Sequence, residues 1–251
     1  MTKWYDDDTF WHDTGPIIFT ADRVKSAVGE VEAVRELLAL PERAAVLDLG
    51  CGVGRHSVEL ARLGYSVTGV DRTAAYIEQA ESRARAAGVQ LECVHADARS
   101  FRREGAFDAV VNLLTSIGYS EDEADDQRII ANVFASLRPD GVFLIDVMPK
   151  EVLARIYRER DWQELDNGLM LLEERRVESG WQWLNLRWVL IDGVQRRERC
   201  FRLRLYSAVE LTAMLRAAGF ETIIPYGSLD GRPFDQAAER LVILARRGTS
   251  S

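Results

Sequence analysis

The stretch Val46-Leu47-Asp48-Leu49-Gly50-Cys51-Gly52-Val53-Gly54-Arg55-His56-Ser57 decides the fold. It reads as an apolar strand with an acidic residue near its end, a three-glycine turn and the start of a helix. Glycine is required where backbone bends sharply or lies against a ligand, because a Cβ would collide. A helix that begins just past such a turn aims its free N–H groups and positive dipole end at whatever sits there. A carboxylate is welcome at that end, and Asp48 at the lip of the strand can balance a positive charge. A ligand holding both charges close together is an amino acid.

The rival reading is the dinucleotide fingerprint G-x-G-x-x-G. Here the glycines fall at Gly50, Gly52 and Gly54, and Arg55 stands where that fingerprint needs its last glycine. A plain strand-to-helix turn is the bland alternative, and residues farther along the chain weigh against it.

The chain has 251 residues, long for one simple domain and short for two, which implies a core domain with an elaboration. Apolar residues make up 47%, enough for a buried core. The net charge of −8 argues against nucleic acid as a partner, since duplex binders carry a basic surplus. The three cysteines, Cys51, Cys93 and Cys200, have no metal spacing, and the three histidines form no H-x-x-x-H pair. Reduced thiols, a cytoplasmic setting and no metal are therefore expected. The segment from Met1 to Asp8 lacks the apolar core of a signal peptide, and no apolar run approaches the roughly 20 residues that a bilayer needs.

Outward from the glycine turn, apolar spacing predicts a helix over 29–40, ended by Pro41. Strands follow at 46–49, 66–70, 91–95, 107–112 and 142–147. Helices are expected at 57–63, 73–87 and 126–137, with the turn Arg138-Pro139-Asp140-Gly141 before the fifth strand. Strands alternating with helices mean a parallel sheet covered on both faces. After Lys150 the pattern changes to strands at 168–177, 181–191 and 195–206, separated by tight turns, an antiparallel meander. In its second strand Leu184, Leu186, Trp188 and Leu190 share one face, and Trp181, Trp183, Asn185 and Arg187 the other. A helix over 208–218 and strands at 221–226 and 241–245 return the chain to the main sheet. The expected divisions are a segment 1–28, a core 29–150, an insertion 151–206 and the end of the core 207–251, with a short polar tail from Gly248 to Ser251.

These residues resemble a class I S-adenosylmethionine (SAM)-dependent methyltransferase, over about residues 30–246. The likeness rests on Asp48–Gly54, Val67–Asp71, His95–Ala98, Phe107–Leu113 and Leu137–Asp146. Within that family the chain is similar to small bacterial enzymes with an antiparallel insert between strands five and six and an N-terminal helical lid. The resemblance implies an α/β fold: a seven-stranded Rossmann-like sheet with helices on both faces, the last strand antiparallel, plus the antiparallel β insertion. It implies SAM as cofactor and S-adenosylhomocysteine as product.

The expected cofactor residues are Asp48, Gly50, Gly52, Arg55, Asp71, Arg72, Asp97, Ala98, Asn112 and Leu113. Asp71, at the end of strand two, suits both ribose hydroxyls, although dinucleotide enzymes use the same logic. Asp97 suits an adenine amino group, with the Ala98 N–H toward a ring nitrogen. The stem of Arg72 suits an adenine face, and Asn112 and Leu113 the methionine segment. The competing roles are local. Asp71 and Asp97 are also cap and turn residues, Asp97 with Arg99 and Ser100 in reach, and His56 is equally a buried structural residue.

On the acceptor side, Tyr119 either lines the pocket or packs under its loop. His12 lies in the aromatic segment of Trp4, Tyr5, Phe10, Trp11 and Phe19, which by resemblance folds over the cofactor. Tyr119 and His12 are the catalytic candidates. Trp11, Tyr119, Arg204 and Tyr206 are the pocket candidates, although the arginines from Arg196 to Arg204 also suit a solvated strand face. Methyl transfer from a sulfonium is an in-line displacement at carbon, so positioning dominates and a base is needed only for an acceptor that holds its proton tightly. The function expected is methyl transfer to a small-molecule acceptor, with no membrane partner and with a homodimer left open. An NAD(P)-dependent oxidoreductase or a non-catalytic SAM-binding module are the alternatives.

Overall fold

A computed structural model describes residues 3–249 and places two sheets there. Met1 and Thr2 of the expected N-terminal segment, and Ser250 and Ser251 of the polar tail, lie outside the described residues. The first sheet grows from β1 (Ala45–Leu49), whose residues from Val46 on are buried, as a central parallel strand requires. Its neighbours are β2 (Ser66–Asp71), β3 (Glu92–His95), β4 (Phe107–Asn112), β5 (Leu137–Val147), β10 (Phe220–Tyr226) and β11 (Leu241–Arg247). The order is β10-β11-β5-β4-β1-β2-β3. Only β11 runs against the rest, antiparallel to both β5 and β10.

Alternation along these strands builds two cores. Leu47, Leu49, Val110, Phe143 and Ile145 face one way, under α5 (Glu123–Ser136) and α7 (Ala208–Ala217). Val46, Val67, Val111, Val142 and Leu144 face the other way, under α2 (Ala21–Leu38) and α3 (Arg55–Arg62). The helix α4 (Ala74–Ala87) flanks α3 and ends at Gly88 in the left-handed conformation.

Between β5 and β10 the chain forms α6 (Lys150–Ile156) and a second, antiparallel sheet. Its strands are β6 (Arg160–Glu164), β7 (Met170–Val177), β8 (Trp183–Asp192) and β9 (Gln195–Arg204), in that order. Ahead of α2 stand a 3-10 turn, Trp4–Asp6, and α1 (Asp8–Ile18), capped by the Asp7 carboxylate, which accepts from the Thr9 N–H. Ile17 of α1 packs on Leu169, Leu171 and Leu190 of the second sheet.

Several expectations are corrected. The insert has four strands, because β6 (Arg-Asp-Trp-Gln-Glu) is too polar to read as a strand. Trp181 lies in a turn ahead of β8, and β9 stops at Arg204. The expected turn Arg138–Gly141 is an excursion inside β5, with a register shift against β4 and Asp140 at positive φ. α2 begins at Ala21, so the division at residue 28 falls inside a helix, and the one at 150 falls within α6. No helix of the described residues is long and apolar enough to cross a membrane.

Candidate active site

The cleft opens at the carboxyl ends of β1 and β4, where the order of the parallel strands reverses and where ligands collect in open α/β sheets. The Gly50 and Cys51 N–H groups donate to the Val70 carbonyl at 2.8 and 3.0 Å, folding the turn across β2. Gly50, Gly52 and Gly54 all have positive φ, at 78°, 53° and 75°. A Cβ at each would meet a different neighbour: Ser116 at 2.8 Å, the Phe19 ring at 2.6 Å and Ala80 at 2.7 Å. The three glycines thus let the loop after β4, the N-terminal segment and α4 close in together. Gly54 caps α3 without a side-chain hydrogen bond to the helix's first turn.

A cavity of about 470 Å³ lies over this turn. Its walls include Asp48, Gly50, Gly52, Arg55, Asp71, Arg72, Asp97, Ala98 and Leu113. The Asp71 carboxylate accepts from the Gly52 N–H at 2.9 Å and the Thr73 N–H at 2.8 Å. Each oxygen thus carries one backbone donor and keeps acceptor capacity for a ligand hydroxyl. Burial raises the Asp71 pKa against these two bonds. Asp48 is 2% exposed and accepts from the Ser57 hydroxyl at 2.5 Å. Burial raises its pKa too, with His56 and Arg55 pulling the other way.

Comparison with known proteins bears on this geometry. Residues 46–141 match the model of a family described as a methyltransferase domain. A putative methyltransferase of Bacillus subtilis, YqeM, is 30% identical over 132 residues, 52% of this chain and 53% of that protein. A glycine/sarcosine N-methyltransferase of Halorhodospira halochloris is 32% identical over 103 residues, 40% of this chain and 38% of that protein. The matched stretch spans about half the length, or less, of these two curated relatives. The crystal structure of an S-adenosylmethionine-dependent methyltransferase from Clostridium acetobutylicum superposes with a TM-score of 0.77 at 18% identity, covering 96% of this chain and 98% of that one. Residues 46–141 are thus similar to a methyltransferase domain, and the fold as a whole is that of the Clostridium structure.

Other groups of the domain depart from the sequence reading. Asn112 is not a wall of the cavity. Its amide donates to the Leu49 carbonyl at 2.7 Å and braces the glycine turn from behind, while its Oδ1 is buried without a partner. Arg55 is buried, donating to the Arg23 carbonyl at 2.5 Å and pairing with Glu30 at 2.8 Å. His56 reaches the same Glu30 carboxylate at 2.6 Å. Arg72 does not lie free over the cleft. It donates to the Tyr5 carbonyl and to the Asp6 carbonyl, clamping the N-terminal segment. Asp97 is gripped by Arg99, whose backbone N–H donates at 2.8 Å and whose Nε donates at 2.9 Å. Burial pushes the Asp97 pKa up, but the Arg99 bonds outweigh it and hold the group below its usual range. The Arg99 guanidinium in turn lies 5.2 Å over the Tyr5 ring.

The far wall of the cavity is aromatic. The Trp4 ring lies 4.9 Å from Tyr119, 4.9 Å from Phe10, 5.2 Å from Phe201 and 5.8 Å from Trp11. The Tyr76 hydroxyl donates to the Trp11 carbonyl at 2.6 Å. Tyr119 and Trp11 both line the cavity, and burial with the nearby Asp71 charge pushes the Tyr119 phenol well above its ordinary pKa. His12 faces outward, 82% exposed, against Asp13.

Arg204 and Tyr206 turn away to a separate open depression between α5 and α7. Arg204 is stacked 4.3 Å over Trp183, its cross-strand partner on the outer face of β8. Tyr206 donates to buried Asp126 at 2.6 Å. The wall residues from the insert are instead Leu186, Trp188, Phe201 and Leu203. Strand alternation carried through β9 would have found Phe201 and Leu203. Arg99, Tyr76 and the Glu30 cluster have no such signal, because tertiary packing brings them in.

Two contacts fix how this wall is mounted. The Arg204 N–H donates to the Gly118 carbonyl at 2.7 Å, and a Cβ on Gly118, at φ 87°, would stand 2.7 Å from the Arg204 carbonyl. The buried Asp13 carboxylate of α1 accepts from Arg197 at 2.9 Å and from Arg199.

Proposed function

We propose that this protein is a SAM-dependent methyltransferase whose acceptor is a small-molecule amine. The observation that carries the reading is the Asp71 carboxylate, fixed by two backbone N–H groups at the lip of a three-glycine turn and facing a cavity closed by an aromatic segment. The residues fit the cofactor group by group. Asp71 suits the two ribose hydroxyls, the uncapped start of α3 suits a carboxylate, and Asp48 suits an ammonium. Ala98 and Tyr5 border the space for the base, where Arg99 shares Asp97. Residues 3–20 act as the lid and the insert supplies the acceptor wall. A cavity of this size and composition is typical of small-ligand sites.

The cofactor supplies an activated methyl carbon, and the protein's own part is to orient the acceptor and exclude water. The aromatic wall of Trp4, Phe10, Trp11 and Phe201 does both. Tyr119 stays protonated at neutral pH, so it serves as a hydrogen-bond donor and not as a base. His12 points out of the cavity. An acceptor that brings its own lone pair, a neutral amine, matches that wall, because the only proton it has to lose after methylation can pass to water. The glycine/sarcosine relative is likewise named as an N-methyltransferase. The oxidoreductase reading has no place for Arg55, which is buried on Glu30 where a glycine would be needed.

Calorimetric titration tests the cofactor: S-adenosylhomocysteine binds at micromolar strength, and NADH does not bind. A mass screen of amines, phenols and acids tests the acceptor class. Absence of binding by SAM and S-adenosylhomocysteine overturns the whole reading, and methylation confined to phenols or acids overturns the amine.

A further inference from the structure

The second sheet ends on β6, which among the described residues pairs only with β7. Hydrogen-bond parity shows what that edge offers. The Glu159 carbonyl accepts from the Arg175 N–H at 2.7 Å, and the Leu165 N–H donates to the Leu169 carbonyl at 2.9 Å. In an antiparallel ladder such residues alternate with ones whose N–H and C=O point the other way. Arg160, Trp162 and Glu164 therefore turn their backbone groups outward. Their side chains share the sheet face of Leu172, the cross-strand partner of Trp162, opposite to the buried Leu171. Trp162 is 64% exposed and Leu172 is 37% exposed, an apolar pair at a bare edge. Proteins normally blunt such an edge, since it is a template for another strand.

The charges around Trp162 are arranged as a palindrome: Arg158, Arg160, Trp162, Glu164, Asp166. Read antiparallel against itself about Trp162, every arginine meets an acid: Arg160 opposite Glu164 and Arg158 opposite Asp166. Asp161 meets Gln163 on the inner face. Read parallel and in register, each charge meets its own kind. The pattern thus favours one partner in one direction. We propose that two copies of this chain pair through β6, antiparallel about a twofold axis at Trp162, joining their two insert sheets into one. The Trp162 N–H now donates to the adjacent Asp161 carboxylate at 3.0 Å, and pairing exchanges that bond for a backbone one. Trp162 and Leu172 of each copy meet their symmetry mates, as an isologous contact requires. Both acceptor walls then stand on one continuous sheet. The inference concerns assembly and is independent of methyl transfer.

Sedimentation velocity on the full chain over a wide dilution series tests it. The expected mass is twice that of one chain, falling to one chain on dilution. Trp162→Pro removes an outward N–H and leaves the β7 ladder intact. It should give one-chain mass with an unchanged circular dichroism spectrum and unchanged S-adenosylhomocysteine affinity. Arg160→Glu should also give monomer, and Arg160→Glu with Glu164→Arg should restore the dimer. This pair decides the matter if the proline alters folding. One-chain mass for the wild type at every concentration overturns the proposal, as does a dimer that survives either Trp162→Pro or the single charge reversal.

Discussion

The main sheet and the layer that covers its cleft are held by different forces. In the sheet, Leu47, Val110, Phe143 and Ile145 are fully buried in a continuous apolar cluster, and backbone ladders do the rest. In the covering layer, α1 buries Phe10 and Ile17 and adds polar ties to them. It is fastened by Asp13 to Arg197 and Arg199, and by the Tyr76 bond to Trp11, while the turn ahead of it is held by Arg72 at Tyr5 and Asp6. Apolar burial does not depend on ionisation, whereas the pairs of buried Asp13 with the part-exposed Arg197 and Arg199 do. A cover tied by charges can open while the platform beneath it stays folded, as access to an enclosed cavity requires.

The widest separation of the two regions comes from the platform. Phe143→Ala should cost about 3–5 kcal/mol of global stability, seen as a lower urea midpoint, because the cavity it leaves lies inside close-packed strands. Next is the cleft itself. Asp71→Asn should weaken S-adenosylhomocysteine by about ten- to a hundredfold in calorimetry, the scale of hydrogen bonds to a charged acceptor. Smaller still is the cover. Asp13→Asn should speed hydrogen exchange of the α1 amides by about fivefold, with the core amides unchanged, as expected for about 1 kcal/mol of local opening. If α1 and β4 exchange at one common rate in that variant, the two regions are not separate units.

The finest probe is pH at a joint within the platform, where Glu30 of α2 meets Arg55 and His56 of α3. Burial raises the Glu30 pKa, but hydrogen bonds from His56 and Ser26 and the charge of Arg55 bring it down from 4.5 to about 2. Because the folded value is depressed, the stability that Glu30 contributes is fully present above pH 4.5. It is lost as pH falls toward about 2. Melting temperatures recorded over that range should decline, and Glu30→Gln should flatten the part of the slope that belongs to this joint.

The platform was legible from sequence because its strands are continuous apolar runs and its turns are marked by glycines at Gly50–Gly54, Gly64 and Gly88. What the cover does was much less so. The polar β6 carries one apolar residue, and α1 is a short aromatic helix with a proline in it, so neither periodicity nor composition marks them. Side-chain direction was the other gap. Asn112 and Leu113 are adjacent, yet only Leu113 reaches the cavity, the amide of Asn112 being spent on Leu49. Arg204 and Leu203 divide in the same way at the end of β9. For Asp97 the local competitor that the sequence offers is present, since Arg99 grips its carboxylate.

The stitch between Gly118 and Arg204 has a consequence for engineering. The segment after β4 and the terminal strand of the insert are one mechanical piece, held by a backbone bond with no room for a methyl group beside it. An insert transplanted from another scaffold would arrive without its matching half, so exchange of specificity between relatives must move residues 113–120 and 160–204 as a single cassette.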